Sequence, residues 1–310
     1  MSEIATTTPS TVAPAREETP PRRYRARVVD YAILLKPRVM SLVVFVGLAG
    51  VLLAPGPIEP WSAAIAVICI AFGAGASGAI NMWYERDIDI AMRRTMDRPL
   101  PAKRLTPGEA LIVGVVLATA SVAVLGLAVN LTAAALLALT ILYYVFVYTV
   151  WLKRLTPYNV VIGGASGALP PAIGWAAATG HVGIESLVLF LIIFLWTPPH
   201  SWALALFSNQ DYARAGIPML PVVRGGAATR RQMLFYTALL VPATFLPVVV
   251  GLGGIAYAAA VSILNFEFAR RTILLWRSGT EDSARSLFGY SILYLFLLFV
   301  VLLLDRLLAG

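Results

Sequence analysis

Long apolar runs separated by short charged segments dominate this chain. Four intervals without any Lys or Arg begin after Arg38, Arg104, Arg154 and Arg231, and they span 47, 48, 59 and 38 residues. Each interval is long enough for two helices of about 20 residues that cross a bilayer, with a short turn between them. Turn-forming residues without a basic side chain occur within the intervals at residues 54–60, around Asn130, at residues 178–186 and at residues 251–254. With a last apolar run near residues 286–305, the pattern predicts an all-α polytopic membrane protein of about nine transmembrane helices. Seven or eight helices are the alternative, because two spans barely fit into the interval of 38 residues.

The composition agrees with this interpretation and assigns an orientation. Hydrophobic residues make up 59% of the chain, charged residues 13%, and the mean hydropathy is +0.80, which excludes an ordinary soluble domain. The formal charge of +8 is best explained by topology, because Lys and Arg collect in the cytoplasmic loops of membrane proteins. With nine crossings, 23 of the 24 Lys and Arg residues fall on one side and only Arg306 on the other. We therefore predict a cytoplasmic N-terminus, a lipid bilayer as the main partner and no nucleic-acid partner.

The first residues differ from the rest of the chain. Residues 1–27 are rich in Thr, Pro, Glu and Arg, which predicts a disordered cytoplasmic tail, and residues 28–310 form a single transmembrane domain. The tail has no apolar core, so it does not resemble a signal peptide, and its glutamates are unlike a transit peptide. We therefore expect a multi-pass protein of the bacterial inner (plasma) membrane.

The segment NMWYERDIDIAMRRTMDRPLPAKR, residues 81 to 104, carries the candidate chemistry. It directly follows an uncharged apolar run from Trp61 to Ile80. Asn81, Glu85 and Asp89 recur every four residues, so on a helix they would share one face at the membrane surface. Oxygen ligands on one face suit a hard divalent cation such as Mg²⁺.

Basic residues close to this face favour a phosphorylated ligand. Arg94 and Arg98 follow the acids within a few turns, and guanidinium groups are good donors to phosphate oxygens. The pattern suits a diphosphate held partly through a metal ion. The alternative is that these are solvated loop charges paired with neighbouring arginines, as most charge runs are. The spacing alone favours the functional interpretation only modestly.

Several segments resemble one known superfamily. The pattern Asn81 to Asp89 is similar to the first acidic motif of the intramembrane prenyltransferases of the UbiA type, with Glu85 at a position where Asp is commoner. The resemblance is stronger to one branch, the protoheme IX farnesyltransferases or haem O synthases. The matching segments are LKPRV (35–39), RTMDRPLP (94–101), YTVWLKRLTPYNVVIGGASGALPPAIGW (148–175), WTPPHSWAL (196–204) and DYARAGIPMLPVVRG (211–225).

The resemblance implies a nine-helix, all-α fold and a specific reaction. The farnesyl group of farnesyl diphosphate would be transferred to a vinyl group of haem b, water would complete the addition, and diphosphate would leave with the help of Mg²⁺. Such chemistry needs leaving-group stabilisation rather than a protein nucleophile. Haem b would then be a substrate and not a resident cofactor. A downstream haem-modifying enzyme or a terminal oxidase would be the expected partner.

The resemblance also implies roles for individual residues. Asn81, Glu85 and Asp89 would be the catalytic metal ligands, and Asp211 would occupy the first position of a second acidic motif. Ala215 stands at the second position of that motif, which weakens the prediction of a second complete metal site. The cationic contacts to the diphosphate would come from Arg94 and Arg98 first, then from Lys36, Arg38, Lys153 and Arg154. Basic residues at a membrane surface also serve topology and bind anionic lipids, which is the competing explanation for them.

Three further residues are predicted to contact substrate. Asn159 follows the Lys153 and Arg154 pair within a segment that matches the branch. Tyr148 would reach a diphosphate oxygen, although tyrosines at an interface usually act as anchors. His200 follows two prolines inside an apolar run and would contact a haem propionate or the iron. Alternatively, it would hydrogen-bond a carbonyl that the prolines leave free.

Other functions stay open at this point. A prenyltransferase acting on a quinone precursor would keep the diphosphate site and change the acceptor pocket. A secondary transporter would also use intramembrane carboxylates and broken helices, but it would place them near the midplane and away from arginines. An assembly factor without chemistry would not need Glu85 and Asp89.

Overall fold

A computed structural model describes residues 24–309, with side chains for residues 27–308, and every regular element in this range is a helix. The predicted all-α class is therefore confirmed. The fourteen α-helices are α1 Tyr24–Leu34, α2 Pro37–Leu53, α3 Pro60–Tyr84, α4 Arg86–Ala91, α5 Pro107–Ala128, α6 Leu131–Leu142, α7 Asn159–Ala168, α8 Pro170–Thr179, α9 Ile184–Phe207, α10 Asn209–Arg214, α11 Leu220–Ala243, α12 Leu246–Val249, α13 Ile255–Ser278 and α14 Glu281–Ala309. A π-helix, Tyr143–Trp151, and a 3₁₀-helix, Leu152–Arg154, continue α6.

Seven described helical segments are long and apolar enough to cross a membrane. An eighth crossing results if α1 and α2, which meet at an angle of 51°, form one broken span. The one remaining predicted crossing corresponds to α13, which has 24 residues but carries Glu267, Arg270 and Arg271 in its second half. The count of nine crossings and the orientation of the N-terminus stay predictions.

The predicted turns lie between helices, and the local sequence explains several of them. Asn130 accepts a hydrogen bond from the backbone N–H of Ala133 and so caps the start of α6. Gly180 ends α8 with a φ of 77°, a left-handed conformation that favours glycine. Residues 251–254 separate α12 from α13. The hairpin pattern of the sequence is therefore present in the structure.

The prediction for residues 1–27 falls mostly outside the described residues, although α1 already includes residues 24–27. The boundary of the transmembrane domain stays a prediction.

Helices α2 and α8 approach closely enough to exclude side chains between them. A Cβ at Gly50 would collide with the backbone of Pro171, and one at Gly174 would collide with the carbonyl of Gly47. Small residues allow such contacts between membrane helices. Helix α8 contributes to two of the hydrophobic cores, with Ile173 in the one that contains Ile70 on α3 and Trp175 in the one that contains Phe268 on α13. The functional residues described below lie at the end of α3 and around a cavity lined by α2, α7, α9 and α14.

Candidate active site

Helix α3 ends at the residues that the sequence singles out. Glu85 interrupts the helix with φ −94° and ψ 12°, and α4 begins at the next residue. The break keeps the helical hydrogen bonds, because the N–H of Glu85 bonds to the carbonyl of Asn81 and the N–H of Asp89 bonds to the carbonyl of Glu85, both at 2.9 Å. Asn81, Glu85 and Asp89 are all buried, at 3%, 2% and 2% exposure. The chain therefore takes two carboxylates and an amide out of water at this break.

Each of these three side chains has a cationic partner from another segment. Lys36 donates to Asn81 Oδ1 at 2.7 Å, and Lys153 donates to Glu85 Oε2 at 2.5 Å. Arg98 donates to both carboxylate oxygens of Asp89 at 2.9 Å. Lys36 lies within electrostatic range of Glu85, Asp89, Arg98 and Lys153. These six residues form one cluster, which we call the polar cluster: Lys36, Asn81, Glu85, Asp89, Arg98 and Lys153.

The backbone around Lys36 is unusual. Lys36 has φ 54° and ψ 53°, a left-handed conformation that is uncommon for a residue with a side chain and that clusters at functional sites. Pro37 follows directly and disfavours the ordinary helical conformation at the preceding residue. Gly78 on α3 leaves room for the aliphatic part of the Lys36 side chain, which would lie 3.4 Å from a Cβ at this position. The break between α1 and α2 thus aims an ammonium group at Asn81.

Thr149 is a residue of this site that the sequence analysis did not identify. Its hydroxyl accepts a hydrogen bond of 3.1 Å from the side-chain amide of Asn81, and Thr149 is fully buried. This contact turns the Asn81 oxygen toward Lys36. Thr149 lies in the π-helix Tyr143–Trp151, and short π-helical segments occur frequently at functional sites. The signal available in the sequence was a small polar residue inside an apolar run that ends at Lys153.

The oxygen donors of the cluster suit a Mg²⁺ ion. Glu85 Oε1 is buried and has no hydrogen-bond partner within the described part of the chain. A buried carboxylate oxygen without a partner is costly, and a hard cation is a suitable partner for it. Within residues 27–308, no group of three or more His, Cys, Asp or Glu side chains is placed to hold a metal by itself. The cluster therefore offers two carboxylates and an amide, and further ligands would have to come from the substrate.

Asp87 lies apart from this cluster. Its carboxylate is mostly exposed and forms a bidentate ion pair with Arg154, at 2.9 and 3.0 Å. Partial burial raises the pKa of Asp87, but the hydrogen bonds from Arg154 outweigh this effect and hold the pKa below its usual value. Arg154 also lies over the ring of Tyr84 at 5.3 Å. The structure thus gives Lys153 and Arg154, which are adjacent in sequence, different acidic partners.

Three further residues that the sequence predicts to contact substrate lie outside the polar cluster. Arg94 and Arg38 are exposed, and neither has an acidic partner within the described residues. Asn159 is buried at the start of α7, where its amide donates to the carbonyl of Thr156 at 2.7 Å. Its Oδ1 has no hydrogen-bond partner there.

A cavity of about 410 Å³ opens beside the polar cluster. Its volume lies in the usual range for small-molecule sites, and apolar side chains form most of its wall. Tyr148 and Arg38 line the cavity, and the Tyr148 ring centre is 5.8 Å from the ammonium of Lys153. A Cβ at Gly163 would overlap the Tyr148 ring, so this glycine makes room for it. Tyr148 therefore links the polar cluster to the apolar cavity.

His200 lines the same cavity from α9. Its ring lies between Trp196 and Phe288, with centroid distances of 4.3 and 4.7 Å, and its Nδ1 is 2.7 Å from the hydroxyl of Ser291 on α14. The histidine is thus bonded to another helix and not to a carbonyl freed by Pro198 or Pro199.

Asp211 lies on the short helix α10, where it pairs with Arg214 one turn later. Its carboxylate is 16% exposed, and it does not join Glu85 and Asp89 in a group of three acids. Asn209, two residues earlier, has a buried Oδ1 without a hydrogen-bond partner in the described range. The prediction that Asp211 contributes to a second metal site stays a prediction.

The fold and the cluster at the end of α3 are those expected of an intramembrane prenyltransferase. Residues 43–302 match the model of the UbiA prenyltransferase family, and the chain belongs to this family. Within the family it is similar to protoheme IX farnesyltransferases. It is 55% identical to the one from Parvibaculum lavamentivorans over 90% of this chain and 89% of the relative, and 55% identical to the one from Brucella anthropi over 90% of both chains.

Solved structures agree on the fold. A digeranylgeranylglyceryl phosphate synthase has a TM-score of 0.75 at 18% identity, with 91% of this chain and 99% of that chain covered. A UbiA homologue from Archaeoglobus fulgidus bound to DMAPP and Mg²⁺ has a TM-score of 0.64 at 16% identity, with 87% and 99% covered. At these identities the similarity supports the fold and not the substrate.

Proposed function

We propose that this protein transfers the farnesyl group of farnesyl diphosphate to a vinyl group of haem b. The allylic C–O bond to diphosphate breaks, a C–C bond forms to the vinyl group, and water supplies the hydroxyl group of the resulting hydroxyethylfarnesyl substituent. The products are haem O and diphosphate. The similarity to protoheme IX farnesyltransferases over 90% of the chain supports this choice of donor and acceptor.

One observation carries the proposal: the polar cluster is buried and has more positive than negative groups. The cluster contains three basic side chains, Lys36, Arg98 and Lys153, and two carboxylates, Glu85 and Asp89, so its basic groups outnumber its acidic groups by one. An anion with several oxygen acceptors is a suitable partner for this excess of donors. A prenyl diphosphate with one Mg²⁺ is an anion of about −1 when its phosphates are fully ionised, which balances the cluster.

Mg²⁺ would be held by Asn81, Glu85 and Asp89 together with diphosphate oxygens, and when bound it would stabilise the charge of the leaving group. Lys36, Arg98 and Lys153 then donate to diphosphate oxygens instead of to their present partners. Arg94, Arg154, Asn159 and Tyr148 are proposed to complete the contacts around this site. Asp211, whose carboxylate is the most exposed of the proposed acids, is proposed as an outer contact.

The acceptor would occupy the cavity of about 410 Å³. Its apolar wall suits a macrocycle, and Arg38 at its edge suits a carboxylate. Aromatic walls also exclude water from an allylic cation until the acceptor attacks. Prenyl transfer to a quinone precursor would use the same cluster, but the similarity to haem-modifying relatives favours haem b. The cluster also lies at a helix end among cations, unlike the midplane acids expected of a transporter.

We further propose that the protein lies in a bacterial inner membrane with this site toward the cytoplasm, because the loops that form the site are rich in Lys and Arg. Haem O made there would pass to a haem-modifying enzyme or a terminal oxidase.

The test is an assay of the purified full-length protein in detergent with haem b, farnesyl diphosphate and Mg²⁺, in which mass spectrometry follows the haem. We expect a farnesyl and a hydroxyl group to be added, and the addition to stop when Mg²⁺ is chelated. Glu267→Gln serves as the matched control for Glu85→Gln, because Glu267 is also paired with basic residues but lies on α13. Prenylation of a quinone precursor with unchanged haem would refute the choice of acceptor, and no prenylation of either would refute the proposed function.

A further inference from the structure

The hydrogen bond between His200 and Ser291 fixes which nitrogen of the imidazole carries the proton. The Ser291 hydroxyl donates to the backbone carbonyl of Phe288 at 2.6 Å, and a carbonyl only accepts. A serine hydroxyl has one proton, and that proton is used in this bond. The His200 Nδ1, at 2.7 Å from the same oxygen, must therefore be the donor. His200 is held as the Nδ1–H tautomer, and its Nε2 has a free lone pair.

Neighbouring side chains hold the ring in this position. The Trp196 ring stacks on one face of the imidazole at an interplanar angle of 17°, and Phe288 stacks on the other face at 24°. The indole N–H of Trp196 donates to the backbone carbonyl of Ser291 at 2.8 Å. Ser291 thus bonds both the histidine and one of the rings that enclose it, so the ring has little freedom to turn.

Since Nδ1 is turned toward Ser291 and His200 lines the cavity, we infer that the free Nε2 lies on the cavity side of the ring. It has no hydrogen-bond partner among residues 27–308, and it is not one of the enclosed polar atoms that lack a partner. Ser291 itself is fully buried and does not line the cavity. The cavity wall therefore presents one unprotonated imidazole nitrogen, supported from behind by a serine that a ligand does not touch.

A haem offers a histidine two possible contacts, a propionate and the iron, and the tautomer of the histidine decides between them. A propionate needs a hydrogen-bond donor, and an Nε2 without a proton is an acceptor. A haem iron needs a lone pair, which Nε2 supplies. Arg38, which lines the same cavity, is a suitable donor for a propionate. The hydrogen-bond network thus favours the iron over the propionate as the contact of His200.

We propose that Ser291 is a positioning residue that holds His200 in the tautomer whose Nε2 ligates the iron of the substrate haem. The inference rests on the proposed function, because it assigns the acceptor cavity to haem. Ligation would anchor the macrocycle in the cavity beside the polar cluster. Hydrogen-bonded partners of a metal-ligating histidine orient the ring and raise the basicity of the ligand.

The test titrates haem b into the purified full-length protein without farnesyl diphosphate and records the optical spectrum and the resonance Raman spectrum of ferrous haem. We expect an iron–histidine vibration in the wild type and in His181→Ala, a control at the other histidine, on the exposed turn after α8. His200→Ala should lose this vibration. Ser291→Ala should weaken haem binding by about 10-fold or more and shift the vibration, because the supporting partner is gone. Ser291→Thr keeps a hydroxyl and should restore both.

The inference is overturned if the wild-type spectrum shows no histidine ligand, if His200→Ala keeps one, or if Ser291→Ala leaves both the vibration and the affinity unchanged. Unfolding is distinguished by size-exclusion chromatography and by a thermal melt of each variant. The separate transfer assay identifies which proposal fails. Haem farnesylation by the wild type without histidine ligation would refute only this inference, whereas histidine ligation without any farnesylation would refute the proposed function.

Discussion

The ends of α3 and α9 have nearly the same backbone and different chemistry. Helix α3 has 25 residues, breaks at Glu85 with φ −94° and ψ 12°, and continues as the six-residue helix α4. Helix α9 has 24 residues, breaks at Ser208 with φ −107° and ψ 17°, and continues as the six-residue helix α10. The two halves of the bundle thus share one arrangement: a long helix is followed by a break and then by a short helix.

The side chains at equivalent positions differ. When the two breaks are aligned, Asn81, Glu85 and Asp89 of the first half correspond to Leu204, Ser208 and Tyr212 of the second half. The acids of the first break are buried and pair with cations outside their own helices, Glu85 with Lys153 and Asp89 with Arg98. Asp211, near the second break, pairs with Arg214 on its own helix.

The comparison shows that the backbone break alone does not make a site. Both breaks keep the helical hydrogen bonds to and from the break residue, but of the two only the first gathers carboxylates with an excess of basic side chains. The following predictions test this difference, from the largest expected effect to the smallest.

Glu85→Gln should cause the largest loss, with kcat for prenyl transfer reduced by about 100-fold or more. The proposed Mg²⁺ would lose a carboxylate ligand, and the charge of the diphosphate leaving group would be less well stabilised. Ser208→Ala, the change at the equivalent break, should alter kcat by less than about 2-fold, because Ser208 is uncharged and is not among the proposed ligands. Steady-state assays with saturating haem measure both. Equal losses for the two variants would show that the break matters and the carboxylate does not.

Arg98→Gln should raise KM for farnesyl diphosphate by about 10-fold or more, because a charged hydrogen bond to a partly enclosed group contributes more than a neutral one. Arg214→Gln is the matched change in the second half and should have little effect on KM. Arg98→Lys should restore only part of the affinity, because an ammonium lacks the planar fork of a guanidinium. A KM for Arg98→Gln that equals the wild-type value would remove Arg98 from the diphosphate site.

Thr149→Val should lower kcat/KM by about 5- to 10-fold, because the buried amide of Asn81 loses its acceptor and is no longer held in place. Thr149→Ser keeps the hydroxyl and should behave like the wild type. A thermal melt of both variants separates a local effect from unfolding. If Thr149→Val and Thr149→Ser have the same activity, the Thr149 hydroxyl does not orient Asn81.

Asp211→Asn should have the smallest effect among the proposed acids, a loss of less than about 5-fold in kcat, because its carboxylate is partly exposed and already paired. The same assay as for Glu85→Gln measures it. A loss as large as that of Glu85→Gln would mean that the second break also holds a metal-bound diphosphate, and that the two halves are more alike in function than their side chains indicate.

Much of the fold followed from the sequence. The alternation of apolar intervals with basic loops predicted a helical membrane protein, and the turn at Asn130 coincides with a capped helix start. Helix α13 illustrates the limit. Its length suits a crossing, but Glu267 and its arginine partners keep it out of a count based on length, hydropathy and charge.

The site was predictable only in part. The spacing of Asn81, Glu85 and Asp89 indicated a shared helix face. All three side chains are buried, and one of their cationic partners lies within electrostatic range of the other two. The sequence did not show that Glu85 itself breaks the helix. The sequence did not indicate Thr149 and Ser291, because each is a single small polar residue in an apolar helix. The hydroxyl groups of such residues commonly hydrogen-bond only to a backbone carbonyl of their own helix.

The sequence by itself determined that the chain is a membrane-embedded helical protein with acids and arginines at one helix end, because hydropathy and helical periodicity are local properties. Only the tertiary structure decided which cation faces which acid: Lys153 faces Glu85, 68 residues away, whereas the adjacent Arg154 faces Asp87. It also decided the tautomer of His200, through a serine 91 residues further along the chain. The physical reason is that ion pairs and hydrogen bonds depend on distances between helices, and packing sets these distances.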